Sequence, residues 1–264
     1  MGRIIAQTAN GIATAVISAP PMNALSATMR AELAGHLSDF VRDASVRVIV
    51  LRGDGPKAFC AGFDIGEVTA SLGSAEQARA QFTKDAVLFE RLAHCPKPTL
   101  AVVDGVALGG GLELAVCCDF IIASKRARFG LPEIKLGAIP AAGGTVRVTR
   151  LIGPVRARQL MLFGDPIDAP TAFEWGLVAQ VVDADKLELE SAALAQRLAA
   201  SPARAMQYAK RAIAAAHAMT EEAALALARE DAAKLSATAD LAEGVRSFRE
   251  RRSPAFRDPI DGDA

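Results

Sequence analysis

Three consecutive glycines, Gly109, Gly110 and Gly111, stand directly between a strand-like run and a helix-like run. Residues 99–103, Thr-Leu-Ala-Val-Val, read as a strand, Asp104-Gly105 as a turn, and Leu112-Glu-Leu-Ala-Val-Cys117 as a helix. Adjacent glycines at such a junction mean backbone that must approach something closely, or φ values that other residues resist. The first turn of a helix presents unpaired N–H groups and a partly positive end, which suits an anion or a developing oxyanion. Glu113 lies in that first turn. Glu133 follows twenty residues later, in a loop containing Gly130 and Pro132. Two carboxylates beside an oxyanion-binding backbone form a pattern for acid–base chemistry next to a carbonyl. Taken alone, the stretch slightly favours a second account: glycines for tight packing, and a glutamate complementing the helix dipole.

The rest of the chain narrows the classes of function. Its 264 residues fit one sizeable domain with a helical appendix, and 51% apolar residues supply a core. Thirty basic and thirty acidic residues balance, so no global field draws nucleic acid or an anionic membrane. No long uncharged apolar run predicts a spanning helix, and the first residues lack the apolar core of a signal peptide, so a cytoplasmic protein is expected. Cys60, Cys95, Cys117 and Cys118 show no framework spacing and read as buried reduced thiols. His36, His94 and His217 are far apart, and no metal site is expected. No Gly-Lys-Ser/Thr phosphate loop and no dinucleotide-binding glycine motif occurs, so no cofactor is expected.

In chain order, residues 3–17 read as a hairpin about Asn10-Gly11. Ser26 caps a helix carrying Met29, Leu33, Leu37, Phe40 and Val41. Residues 46–51 form a strand buried on both faces. Residues 71–93 hold a helix with a capping box at Ser74–Gln77 and an apolar face of Phe82, Ala86 and Phe89, ended by Pro96 and Pro98. Residues 120–123 are a second buried strand, and 154–162 are helical. Beyond residue 183 the strand–turn–helix alternation gives way to alanine-rich helices. Asp185, Ser201 and Thr220 are their expected caps, with Pro202 at a first helical position. A boundary is therefore placed between a core, 1–183, and a C-terminal helical oligomerisation region, 184–264. Residues 46–67 and 99–113 share one plan, strand, glycine turn, apolar segment ending in glycine, then helix. This suggests stacked strand–strand–helix units with two glycine turns facing one site.

Three motifs carry a resemblance. Lys57-Ala-Phe-Cys-Ala-Gly-Phe-Asp-Ile65, Ala107-Leu-Gly-Gly-Gly-Leu-Glu113 and Phe129-Gly-Leu-Pro-Glu-Ile-Lys-Leu-Gly137 closely resemble, in order and spacing, the motifs of the enoyl-CoA hydratase/isomerase (crotonase) superfamily. The likeness extends from the first hairpin to Phe248-Arg-Glu-Arg-Arg252. It implies an α/β fold, a crotonase-like spiral of ββα units with a C-terminal helical region, assembled as a homotrimer or dimer of trimers. It implies an acyl-CoA thioester as substrate, with coenzyme A belonging to the substrate rather than acting as a cofactor. By motif, the N–H groups of Phe63 and Gly110 hold the thioester oxygen, Glu113 handles the water, and Glu133 gives the proton to the α-carbon. Ala24, Lys57, Ala61, Asp64, Ile65 and Gly66 fall at substrate-binding positions. Of these, Asp64 also reads as fixing the turn after Gly62, and Lys57 as a solvated loop lysine.

The chemistry agrees with that assignment. Adding water to a C2=C3 bond conjugated with a thioester passes through an enolate-like state, and losing one aimed N–H donor typically costs ~10²–10³ in rate. One group must take a proton while another gives one, and two adjacent carboxylates resist double ionisation. Backbone donors leave the side chain at position 63 free to be large. Cys60 lacks a nearby histidine and reads as packing, as do Trp175 and Tyr208. Arg246, Arg249, Arg251 and Arg252 read as a solvated face or, across a subunit boundary, as nucleotide contacts. Pocket walls are expected from residues 66–89, with Leu72, Phe82 and Phe89, and from the region after Leu136. Two departures from the family pattern stand out: Met22, after Pro20 and Pro21, where a basic residue is common, and Ala141-Ala142 in place of a glycine-containing pair. The expected activity is hydration of trans-2-enoyl-CoA. The alternatives are double-bond isomerisation using Glu133 alone, or a non-catalytic acyl-CoA or RNA binding protein of the same fold.

Overall fold

The computed structural model describes residues 2–70 and 73–262, which leaves Leu72 outside the described residues. The chain opens with β1 (Arg3–Ala9) and β2 (Ile12–Ser18), an antiparallel hairpin turning at Asn10 and Gly11, both at positive φ. Then come α1 (Ala27–Arg42), β3 (Val48–Gly53), β4 (Ala58–Cys60), α2 (Ile65–Ala70) and α3 (Ala75–Ala93). The next unit is β5 (Thr99–Val103), β6 (Val106–Leu108) and the short α4 (Gly110–Ala115). After it run β7 (Phe120–Ser124), β8 (Arg128–Gly130) and a 3₁₀ turn at Pro132–Leu136. Then follow α5 (Gly144–Phe163), broken at Gly153-Pro154, β9 (Ile167–Asp168), α6 (Ala169–Glu174) and β10 (Gln180–Val182). Four helices end the described chain: α7 (Leu187–Ala199), α8 (Ala203–Ala218), α9 (Glu221–Leu235) and α10 (Ala239–Glu250).

Two sheets result. The larger has the order β1-β2-β3-β5-β7-β10, the smaller β4-β6-β8-β9. From β2 onward the larger sheet is parallel, with registers such as Ile49 opposite Thr99 and Leu100 opposite Phe120. β4, β6 and β8 are also parallel. The opening hairpin lies wholly in the larger sheet; β3–β4, β5–β6 and β7–β8 then each put their first strand in the larger sheet and their second in the smaller, and the chain winds as a spiral of ββα units. The two-unit plan seen in the sequence has a third turn, β7–β8, whose helix is only a five-residue 3₁₀ segment; that brevity hid it from pattern reading.

The larger sheet is covered on both faces at its centre, which is why β3, β5 and β7 are almost continuously apolar. Side chains alternate with period two. Ile49, Leu51, Ala101, Val103, Ile121 and Ala123 face the main core with Leu33, Phe59, Leu88 and Phe129. Val48, Val50, Leu100, Val102 and Ile122 face α7 through Leu187 and Ala195. The first of the C-terminal helices thus lies directly on the sheet.

Some local expectations change. The buried side of α3 is Asp85, Leu88, Phe89 and Leu92. Phe82 is exposed: residues 75–84 carry no buried side chain, and the burial of α3 begins at Asp85. Ser26, Ser74 and Thr220 cap their helices as expected. Ser201 does not: its hydroxyl donates to Arg197 O and closes α7, while Pro202 itself occupies the cap position of α8. Lys186, not Asp185, precedes α7, and it makes no side-chain cap bond.

Successive turns of the spiral touch through bare backbone. A Cβ on Gly111 would lie 2.0 Å from the Cys60 carbonyl oxygen, a separation no side chain can relieve. Gly111→Ala is therefore expected to cost about 3 kcal/mol or more, as severe overpacking does, measured as the shift in a chemical denaturation midpoint against wild type.

Candidate active site

The smaller sheet's parallel strands β4, β6 and β8 all end at one side, and the predicted residues gather there. Phe63 follows β4, Gly110 and Glu113 follow β6, and Glu133 follows β8. Gly62, at φ 110°, lies against the next unit: a Cβ there would be 3.1 Å from Leu108 O and 3.5 Å from Gly110 N. The ring of Phe63 lies over Gly110, where a Cβ would meet Phe63 Cε1 at 2.6 Å. The two loops that carry the predicted donors are in contact.

Their N–H directions are set from the opposite side of each peptide plane. Leu25 N donates to Gly62 O at 2.8 Å, within an isolated parallel bridge between Leu25 and Phe63. In a planar trans peptide the N–H points opposite to the C=O, so the Phe63 N–H is turned away from Leu25. Glu113 N likewise donates to Gly109 O at 2.9 Å, which aims the Gly110 N–H out of the start of α4. Among the described residues neither N–H has an acceptor.

The loop that supplies Leu25 is fixed by Asn23, which sequence reasoning passed over. Asn23 is fully buried at φ 53°. Its Oδ1 accepts from Ala19 N, and its Nδ2 donates to Asp54 O and Ala58 O. Ala61 N also bonds to Met22 O at 3.0 Å, so Ala24 and Ala61 run on neighbouring strands of chain beside Phe63. Asp64 accepts from Gly66 N at 2.8 Å, the turn-fixing role, and Ile65 opens α2 beside it. Lys57 is exposed at the other end of β4, remote from the glutamates.

Glu113 is buried, and its Oε1 accepts from Ala142 N at 2.8 Å and Gly144 N at 2.7 Å. Gly144 permits this approach, since a Cβ there would lie 3.1 Å from Oε1. Arg147 closes the same loop by donating to Ala142 O. Burial pushes the Glu113 carboxyl up to about 7; the Gly144 bond opposes the rise, the nearby Glu133 adds to it, and the Ala142 bond and Arg147 oppose it further. Glu133 is raised too, by burial. Its Oε1 packs on Gly109, where a Cβ would come within 2.9 Å, and its Oε2 is buried without a hydrogen-bond partner among the described residues. Two carboxyls thus flank the segment that carries the Gly110 N–H. The part played by residues 142–144 in holding Glu113 left no sequence signal beyond the glycines.

The remaining candidates separate from this cluster. The Cys60 thiol is driven up to about 12 by burial, which suits packing. Phe89 meets Phe63 edge-on in the core. Arg246 and Arg252 are both engaged by Glu243. Among the described residues no group of His, Cys, Asp and Glu is arranged to hold a metal ion, and no helix is long and apolar enough to cross a membrane.

The profile of the family described as enoyl-CoA hydratase/isomerase matches residues 7–259. The chain belongs to that family. It is 41% identical over 236 residues to a probable enoyl-CoA hydratase of Rhizobium meliloti, covering 89% of this chain and 90% of that protein. It is 39% identical over 238 residues to the 2,3-dehydroadipyl-CoA hydratase of Escherichia coli, with the same coverage. The crystal structure of an enoyl-CoA hydratase from Bacillus anthracis matches with a TM-score of 0.91 at 35% identity, covering 97% of this chain and 99% of that one. The architecture is the crotonase-like ββα spiral.

A buried carboxyl with a raised pKa has a consequence for stability. The folded state holds the Glu113 proton up to about pH 7, whereas an unfolded glutamate releases it near 4.5. Between those values the folded state binds more protons, so stability from this group is lost as pH rises. Above pH 7 its ionised form costs on the order of 3 kcal/mol relative to the acid. Glu113→Gln keeps an oxygen for Ala142 and Gly144 and removes that cost. The variant is expected to melt higher than wild type at pH 8, with the gain shrinking toward pH 5, in paired melting scans at the two pH values.

Proposed function

We propose that this protein is an enoyl-CoA hydratase, adding water across trans-2-enoyl-CoA thioesters to give 3-hydroxyacyl-CoA in fatty acid or related acyl-CoA metabolism. The observation that carries the reading is the pairing of two carboxyls, Glu113 buried and Glu133 half-buried with a buried Oε2, with two N–H groups, on Phe63 and Gly110, that have no acceptor among the described residues.

In this reading the thioester oxygen sits between the Phe63 and Gly110 N–H groups, and charge develops on it as water attacks C3. Glu113, its Oε1 engaged by backbone, uses its other oxygen to hold the water and accept its proton. Glu133, its unpartnered Oε2 facing the α-carbon, delivers a proton to C2. Coupling between the two acids keeps one proton on the pair near neutrality, and the pair titrates as a unit. Ala24, Ala61, Asp64, Ile65 and Gly66 border the acyl and pantetheine path, and Lys57 meets the nucleotide end. No cofactor beyond the substrate's own coenzyme A is required. A cytoplasmic location fits.

Isomerisation is the second reading, since one acid can move one proton between carbons. The anchoring of Glu113 by two backbone donors favours hydration, because an isomerase acting through Glu133 needs no second positioned carboxyl. Turnover of 2-enoyl and 3-enoyl thioesters by wild type and two variants separates the readings. Glu133→Gln is expected to suppress both reactions by ~10²–10⁴. Glu113→Gln is expected to suppress hydration to a similar degree while sparing isomerisation. Wild-type hydration by Glu113→Gln removes that residue's assigned role and puts isomerisation first.

The same reading divides the chain into a core carrying the site, 1–183, and a helical region used in assembly, 184–264. Leu136, Ile139, Val155, Phe163 and Phe173 are exposed, as are Ile213 and Leu225 on the C-terminal helices. Apolar surface of this kind supports a homotrimer or a dimer of trimers. Sedimentation is expected to give a multiple of three; a stable 27.6 kDa monomer at micromolar concentration rules this assembly out.

A further inference from the structure

Behind Phe63 lies a charged cluster that the proposed chemistry does not use. Arg30, on α1, is 5% exposed. Its Nε donates to Asp85 Oδ1 on α3 at 2.7 Å, and its Nη1 donates to Leu25 O at 2.7 Å. Glu67 on α2 lies 3.4 Å from Nη1 and also accepts from Ala27 N at the start of α1. The guanidinium carbon stands 4.5 Å from the centroid of the Phe63 ring. Gln81 Nε2 donates to the same Asp85 Oδ1. An apolar residue at position 30 would suffice to pack α1 on α3; the guanidinium instead grips the backbone and ring that define one proposed oxyanion donor.

We infer that Arg30, held by Asp85, is a positioning residue for the oxyanion hole, acting through Leu25 and Phe63. The inference rests on the proposed thioester-binding reading of the site. Leu25 orients the Gly62–Phe63 peptide by donating to Gly62 O, and its own carbonyl accepts from both Asp64 N and Arg30. The bridge is isolated, with no neighbouring ladder to keep its register. Clamping the Leu25 carbonyl keeps its N–H on Gly62 O and the Phe63 N–H turned outward. Stacking on the ring fixes the second point, because that ring is the surface on which Gly110 rests. One side chain therefore sets the spacing of both donors. Lysine cannot reproduce this, since it lacks the planar fork that bonds in two directions while stacking.

The test uses Arg30→Lys, Arg30→Met and the double variant Arg30→Met/Asp85→Leu, in which no buried charge is left unpaired. Two quantities are measured on the whole enzyme: steady-state turnover of a 2-enoyl thioester, and the ultraviolet absorbance of bound 3-oxobutanoyl-CoA at mildly acidic pH, where the free compound stays in its keto form and the enolate needs a stabilised oxygen. Misplacing a donor is expected to lower kcat by ~10²-fold in the double variant, with KM within about threefold, and the enolate band should fall in parallel. Arg30→Lys should lie between it and wild type. A folded double variant with wild-type kcat and enolate band overturns the inference and leaves Arg30 as a counter-charge for Asp85. If the double variant does not fold, an unchanged kcat and band in Arg30→Lys overturn it equally. A wild type that forms the enolate but adds no water refutes the hydratase reading alone, and the enolate band still decides the role of Arg30. A wild type that does neither refutes both.

Discussion

The whole arrangement depends on two turns of chain touching backbone to backbone. Gly111 presses on the Cys60 carbonyl, and Gly62 abuts Leu108 O and Gly110 N, with no side chain between them. That contact brings the end of β4 against the end of β6, and with it Phe63 against Gly110. Backbone contacts are stiff, because no rotamer can absorb a displacement and each peptide is planar. A donor pair assembled this way is preorganised at the cost of permitting no Cβ at several positions. The glycines matter here more for proximity than for freedom of φ: Gly110 and Gly111 have ordinary helical backbone and are still confined to glycine by what they touch.

Electrostatics follow from the same closeness. Residues packed this tightly exclude water, so a carboxyl placed among them is pushed toward its neutral form. Glu113 resists through two backbone N–H bonds and the nearby Arg147, yet still sits near neutrality, while Glu133 has no such support for Oε2. The two acids therefore differ in how well their charged forms are supported, which is the asymmetry an acid–base pair needs. Such a raised pair is costly to stability, which makes it the candidate acid–base pair of the site.

Much of this was legible in the sequence, and the gaps have a physical pattern. Local signals survived into the structure: the Asn10-Gly11 turn, the Ser26, Ser74 and Thr220 caps, the doubly buried strands, and the motifs around Phe63, Gly110, Glu113 and Glu133. What could not be read was long-range. Arg30 and Asp85 are fifty-five positions apart and sit in ordinary amphipathic helices, where arginine and aspartate are expected to face water. Asn23 looks like any turn residue until its amide is seen to bridge Ala19, Asp54 and Ala58. Phe82 kept the right spacing for burial but lies in the exposed first half of α3, and periodicity carries no information about how far along a helix its partners extend.

The spiral explains why the candidate residues converge although they are scattered over seventy positions. β4, β6 and β8 are parallel neighbours in one short sheet, so their C-terminal ends lie on one edge, each delivering a loop to the same place. In the second and third units the segment after the strand is only a six-residue helix or a five-residue 3₁₀ turn. A longer helix starting there would have to run across the neighbouring loop. Keeping these segments short lets three units present backbone and carboxyl groups at close quarters, while α1, α3, α5 and α7 pack apolar side chains against the sheets. The candidate site is thus built at the ends of the smaller sheet's strands, partly on α4, whose six residues are all buried, and the charged cluster at Arg30 lies where α1 reaches the loop that carries Phe63.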